Sequence, residues 1–206
     1  MHNIEILSDF NPYIKIFLEE NSKHNLISKN DEKFLREKHI YDSLGIKLFF
    51  EKYGLMPATL LDIGCGGGFP CVPIAIEFPE IKVTGLDSIR KKINSVRIIK
   101  EVLKLDNLDL VCERAENFSE RKFDIAVSRA VADLSKIASY ALPLVKDGGY
   151  FVAYKSKKVQ EEVSAAEPIL NKLGGKITDI IEYKLPLDEI YERNLVCIKK
   201  TADKKQ

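Results

Sequence analysis

Apolar and polar positions follow two regimes along this chain. From Ala58 onward, short apolar runs alternate with longer stretches in which apolar residues recur at helical spacing. The short runs are bounded by Gly, Asp or Asn and read as strands, and their alternation with amphipathic helices predicts parallel strands joined by crossover helices. The first strand ends at Gly64. Others are expected at Ile81 to Leu86, Leu108 to Cys112, Phe123 to Val127 and Tyr150 to Tyr154, with two late ones near Lys176 to Tyr183 and Asn194 to Lys199. Helices are expected from the glycine-rich turn to Phe78, from Ile89 to Leu105, from Leu134 to Leu144 and from Val159 to Leu173. The fold class that follows is α/β, a doubly wound, mostly parallel seven-stranded sheet.

Before Ala58 the pattern is helical only. Asn11 ahead of Pro12 is expected to cap a first helix carrying Ile14, Phe17 and Leu18 on one face. The stretch His24 to Ser28 interrupts it. Ser28 with Asp31 fits a capping box, and a second helix is expected to carry Phe34, Leu35, Ile40, Leu44, Ile46 and Leu48 and to end near Gly54. Residues 1–57 therefore read as a separate N-terminal helical extension, 58–200 as the α/β domain and 201–206 as a polar tail.

Composition adds mainly exclusions. The formal charge is +1 on 206 residues, so nucleic acid would have to be met by a local basic face. No apolar run approaches the ~20 residues of a membrane span. The start of the chain lacks the basic and apolar regions of an export signal, so a cytoplasmic protein is expected. Cys65, Cys71, Cys112 and Cys197 show no C-x-x-C spacing; metal binding is not expected and a reducing compartment is. Cys65 and Cys71 flank the glycine turn, as nucleophiles or simply as small residues in a tight place.

The chemistry concentrates at L-L-D-I-G-C-G-G-G-F-P, residues 60–70. An apolar strand, a run of glycines and a proline opening a helix let a ligand approach bare backbone at a helix N-terminus. The dinucleotide fingerprint requires a third glycine where Phe69 stands. The pattern is instead D-x-G-x-G-x-G, with Asp62, Gly64, Gly66 and Gly68. An acid before the turn repels phosphate and suits a cation, while Phe69 suits an apolar or aromatic ligand part. This variant resembles the first signature of S-adenosylmethionine methyltransferases; the plain alternative is a turn that only connects strand to helix.

Other candidates lie at strand ends, where open α/β sheets bind ligands. Asp87 can accept both ribose hydroxyls, or cap the next helix. Ala115 and Glu116 follow the third strand, placed for an adenine edge or simply solvated. Arg129 ends the fourth strand and points toward a transferred methyl, or else pairs with Asp62. Arg90, Lys91 and Lys92 open a basic helix that continues through Arg97, Lys100 and Lys104. Lys155, followed by Lys157 and Lys158, ends the fifth strand. Charge runs on helices are usually solvated faces.

Placed together, these segments resemble the glucose-inhibited division protein B family almost end to end. The matching stretches are H-N-L-I-S at His24, H-I-Y-D-S-L at His39, D-I-G-C-G-G-G-F-P at Asp62, L-D-S at Leu86 and R-A-E at Arg114. They continue with F-D-I-A-V-S-R-A at Phe123, Y-K at Tyr154 and R-N-L-V-C-I-K-K at Arg193. The resemblance implies a sheet of the S-adenosylmethionine methyltransferase type. It also implies methylation of guanine N7 in 16S ribosomal RNA, and cofactor contacts at Gly64, Phe69, Ala115, Glu116 and Arg129. Cys65 and Cys71 depart from it, standing where the family often has serine and glycine.

The expected partner is 16S rRNA or the small ribosomal particle, bound by a monomer through Arg90, Lys91, Lys92, Lys155 and Arg193. No acid or base is expected in catalysis, because N7 needs no deprotonation; Arg129 and Lys155 are the positioning candidates. His2, His24 and His39 all fall in the N-terminal helices, none expected at a sheet edge. Two rival readings stay open: a methyltransferase for a small molecule or protein side chain, and a non-catalytic RNA-binding protein.

Overall fold

The computed structural model describes residues 4–119, 121–129, 132–156, 159–187 and 191–201. His2, Ala130, Lys157, Lys158 and all but the first residue of the polar tail lie outside the described residues.

The expected strands form one seven-stranded sheet in the order β3-β2-β1-β4-β5-β7-β6. They are β1 (Thr59–Ile63), β2 (Lys82–Asp87), β3 (Leu108–Cys112), β4 (Phe123–Arg129), β5 (Val145–Lys155), β6 (Gly175–Lys184) and β7 (Glu192–Lys200). Strands β1 to β5 run parallel, and β7 is antiparallel to both β5 and β6. The central strand β1 is buried on both faces, which explains why adjacent Leu60 and Leu61 are both apolar. Its successive side chains go to opposite sides: Leu60 joins one core cluster and Leu61 the other.

Helices cover both faces. Apolar side chains of α4 (Cys71–Glu77) and α5 (Arg90–Leu103) pack with the Leu60 side, those of α6 (Leu134–Ala141) and α7 (Val159–Lys172) with the Leu61 side. No helix among the described residues is long and apolar enough to cross a membrane.

The N-terminal segment corrects three expectations. It is not separate: Phe10, Tyr13, Phe17 and Phe49 share one apolar cluster with Leu60, Val72, Ile93 and Val127. Nor is its second half one helix. After α1 (Asn11–His24), Ser28 caps a short α2 (Lys29–Glu32), its Oγ accepting from the Asp31 amide at 3.2 Å. A π-helical turn, Leu35–Tyr41, follows, and the α3 helix (Ile46–Tyr53) begins only after a turn at Leu44 and Gly45. That turn packs against the sheet. Tyr183 of β6 sits so close to Gly45 that a Cβ there would lie 2.8 Å from its ring, and its hydroxyl donates to Asp42 Oδ1 at 2.6 Å. Asn11 is not the cap of α1; Phe10 holds that position, and Asp9 Oδ1 accepts from the Asn11 amide.

Candidate active site

The glycine turn leaves β1 through three residues in the left-handed region, Gly64 at φ 76°, Gly66 at 55° and Gly68 at 96°. Such angles strain any side-chain-bearing residue. The turn is laced to β2: the amides of Gly64 and Cys65 both donate to the Leu86 carbonyl, at 2.7 and 3.0 Å. Beyond it opens a cavity of about 580 Å3 at the carboxyl edge of the sheet, lined by Gly64, Gly66, Phe69, Asp87, Ala115, Glu116 and Arg129 among others. Seven of the expected cofactor residues thus meet at one place.

Asp87 is partly buried, and its two oxygens are anchored by backbone amides: Oδ2 by Gly66 and Oδ1 by Ile89, each at 2.8 Å. It does not cap α5 in the ordinary way; it closes a local turn and ties β2 to the glycine turn. A carboxylate has about four lone-pair directions, so two acceptor positions remain for a diol.

Asp62 and Gly68 stand behind the cavity. Asp62 is fully buried, its Oδ2 accepting from the Cys71 amide at 3.0 Å and its Oδ1 without a partner among the described residues. Burial raises its pKa to about 7. An orphaned carboxylate oxygen beneath a turn fits a cationic ligand part above it. A Cβ on Gly68 would lie 2.7 Å from Val72 Cγ2, so that glycine serves turn and helix packing. The sulfurs of Cys65 and Cys71 pack onto Gly85 of β2, both buried. Burial and the neighbouring Cys65 push the Cys71 thiol well above its ordinary value, which fits a space-filling role rather than a nucleophile.

Phe69 turns one side to the cavity and the other to the N-terminal helices, with ring centroids 5.1 Å from Phe17 and 6.1 Å from Tyr13. The Arg129 guanidinium lies 5.2 Å from its centroid. Arg129 pairs with Asp42 at 3.1 Å, not with Asp62. Glu116 is exposed, and its own amide and the Tyr140 hydroxyl hold its carboxyl below the usual range.

Three expectations about cations are corrected. Arg193 is bound to buried Asp42 through Nε at 2.9 Å and Nη2 at 2.8 Å. Lys155 does not line the cavity; its ammonium donates to the Ala132 carbonyl at 2.7 Å and pairs with Glu162 at 2.6 Å. Neither is left for phosphate, because both are held on charged partners within the fold. Lys92 turns inward and lines the cavity, with Nζ 4.0 Å from where a Gly66 Cβ would stand, while Arg90 and Lys91 remain exposed.

Several cavity residues escaped the reading of the sequence. The N-terminal segment supplies Leu26, Ile27 and His39, and α6 supplies Ile137 and Tyr140. His39 therefore does stand at the sheet edge, against expectation, with its ring 4.9 Å from Phe69. The two N-terminal segments matched in the family resemblance, at His24 and His39, were the available signal.

Known proteins resemble this chain along nearly its whole length. The model of the GidB family, described as rRNA small subunit methyltransferase G, matches residues 6–196. A protein of Staphylococcus saprophyticus named ribosomal RNA small subunit methyltransferase G is 40% identical, the match covering 98% of this chain and 86% of the relative. Its namesake in Lachnoclostridium phytofermentans is 41% identical over 96% of this chain and 82% of the relative. Among solved structures, magnesium protoporphyrin IX methyltransferase from Synechocystis PCC 6803, with bound SAM, superposes with a TM-score of 0.65 at 16% identity. It covers 96% of this chain and all of that one, a likeness of fold.

Proposed function

Because the chain belongs to the GidB family of rRNA small subunit methyltransferases, we propose that it methylates N7 of a guanine in 16S ribosomal RNA from S-adenosylmethionine, as a cytoplasmic monomer. The observation that carries the cofactor part is Asp87, a carboxylate fixed by two backbone amides at the cavity wall with acceptor capacity left for ribose hydroxyls. Asp62, with its orphaned oxygen beneath the turn, fits the cationic methionyl end. Gly64, Gly66, Phe69, Ala115, Glu116 and Arg129 complete the cofactor wall.

When bound, S-adenosylmethionine supplies a methyl group on a sulfonium, an electrophile. The chain's residues have the remaining tasks. Guanine N7 carries a lone pair on the major-groove edge at neutral pH, so no side chain has to remove a proton. The site must align acceptor with methyl and exclude water, an effect of proximity. Burial, with Arg129 beside it, lowers the His39 pKa to about 4, so this histidine is neutral and adds no charge beside a base that becomes cationic.

The RNA face is assigned to the start of α5. Arg90 and Lys91 are exposed in its first turn, where no acid is present. Cations there oppose the helix dipole, and a phosphate would be attracted by both.

The test is transfer of label. The protein is incubated with methyl-labelled S-adenosylmethionine and, separately, small-subunit particles, free ribosomal RNA and protein extract. Label should enter the RNA and sit in a base that yields to borohydride and aniline cleavage, as 7-methylguanosine does. Label in protein alone would refute the assignment.

A further inference from the structure

Arg129 is aimed by the N-terminal segment. Its Nη1 donates to Asp42 Oδ2 at 3.1 Å and to the Lys38 carbonyl at 3.3 Å, and its Nη2 lies 3.1 Å from His39 Nδ1. A guanidinium has five N–H donors and no acceptor. His39 Nδ1 must therefore accept, and the proton of the neutral ring resides on Nε2, which has no partner among the described residues. Three donors of Arg129 are thereby assigned. The Nε–H and one Nη2–H remain, on a side chain that lines the cavity.

All three acceptors come from one stretch, the π-helical turn Leu35–Tyr41 and the residue that ends it. Such turns are rare and gather at functional sites. Asp42 supplies charge and is itself fixed by Arg193 and Tyr183, but together with the Lys38 carbonyl it holds only the Nη1 end of the fork. The contact at Nη2 holds the other end against rocking away from the cavity.

We propose that His39 is a positioning residue for methyl transfer, whose Nδ1 fixes the rotation of Arg129 so that the two remaining donors face the cofactor cavity. The proposal rests on the cofactor reading above. It makes the N-terminal segment part of the active site, beyond any role in RNA contact. The competing explanation is packing, since the ring also lies against Phe69.

Two substitutions separate these explanations. His39→Phe keeps a ring on Phe69 and removes the acceptor; His39→Asn loses the ring and places Oδ1 where Nδ1 stood. The dissociation constant of S-adenosylmethionine is measured by calorimetry for both, alone and combined with Arg129→Ala. His39→Phe should weaken binding about tenfold, the scale of one hydrogen bond to a charged group. His39→Asn should stay within about threefold of wild type. In the Arg129→Ala background His39→Phe should add nothing, the signature of two residues acting as one. Unchanged affinity in His39→Phe, or the same loss with and without Arg129, would overturn the proposal. If His39→Phe does not fold, His39→Gln replaces it: its acceptor stands at the Nε2 position, so weak binding by Gln beside normal binding by Asn supports the proposal, and equal binding refutes it. Coupling in cofactor affinity without label in RNA would remove the RNA assignment and leave the positioning role standing.

Discussion

Arg193 of β7 grips Asp42 through two parallel hydrogen bonds, 2.9 and 2.8 Å long, across 151 residues of chain. The carboxylate is 2% exposed. It is a buried hub, since Arg129 and Tyr183 hold it as well.

Removing the hub charge should cost more than removing a surface pair. Asp42→Asn leaves two arginines buried against a neutral amide, and breaking a buried pair typically costs about 3–5 kcal/mol. Burial raises the Asp42 pKa, but Arg193 and Arg129 outweigh it and the net direction is down. A depressed folded-state pKa contributes stability above the unfolded value, ~3.9, that is lost as pH falls through the folded value. Urea unfolding from pH 7 to pH 3 should show this loss in wild type and a reduced one in Asp42→Asn.

Asp62 should give the opposite slope. Its folded pKa is raised by burial to about 7, so its contribution is full below the unfolded value and declines as pH rises through about 7. Thermal midpoints of the cofactor-free protein should fall between pH 6 and 8.5, and Asp62→Asn should flatten that trend. A wild-type midpoint that does not move across this range refutes the assignment.

The glycines of the turn should differ from one another. At Gly66 a Cβ meets nothing closer than 3.9 Å, so Gly66→Ala carries chiefly the left-handed backbone cost, roughly 1–2 kcal/mol. At Gly68 that cost is joined by a 2.7 Å clash with Val72. Denaturant midpoints should therefore drop further for Gly68→Ala. Calorimetry should show Gly66→Val losing cofactor affinity, because the branched side chain would enter the cavity beside Lys92.

RNA binding should respond to salt through few residues. Each lost phosphate contact lowers the log–log salt slope by about 0.7 for single strands. Arg90→Ala and Lys91→Ala should each flatten the slope by about that amount. Lys155→Ala should leave it unchanged, since that ammonium is held by Glu162 and the Ala132 carbonyl. Filter binding between 50 and 200 mM salt decides this; an unaltered slope in the α5 variants would remove them from the RNA face.

The sheet was legible because its signals are local. Strand runs such as Leu60 to Ile63, the glycines that end them and the acid at Asp87 each announce themselves within a few residues. The second N-terminal helix misled for the converse reason. Its apolar period continues through Leu44, and Tyr183, far along the chain, packs against the turn at Gly45. The same holds for Arg193 and Lys155. An exposed cation and one buried on a distant carboxylate look alike in sequence, and only the fold brings the partner. The neighbours of His39 predict only a helix; its position at the cavity follows from how that segment packs on Phe69.

The long reach of the Asp42 pair also orders events in time. A contact spanning 151 residues closes late in folding, after the local pairings of β1 to β5. As the chain emerges during synthesis, Asp42 waits for Arg193 nearly to the last strand. Arg129 already has the Lys38 carbonyl and His39 Nδ1 from the N-terminal side, but the carboxylate it shares lacks its second cation until β7 docks.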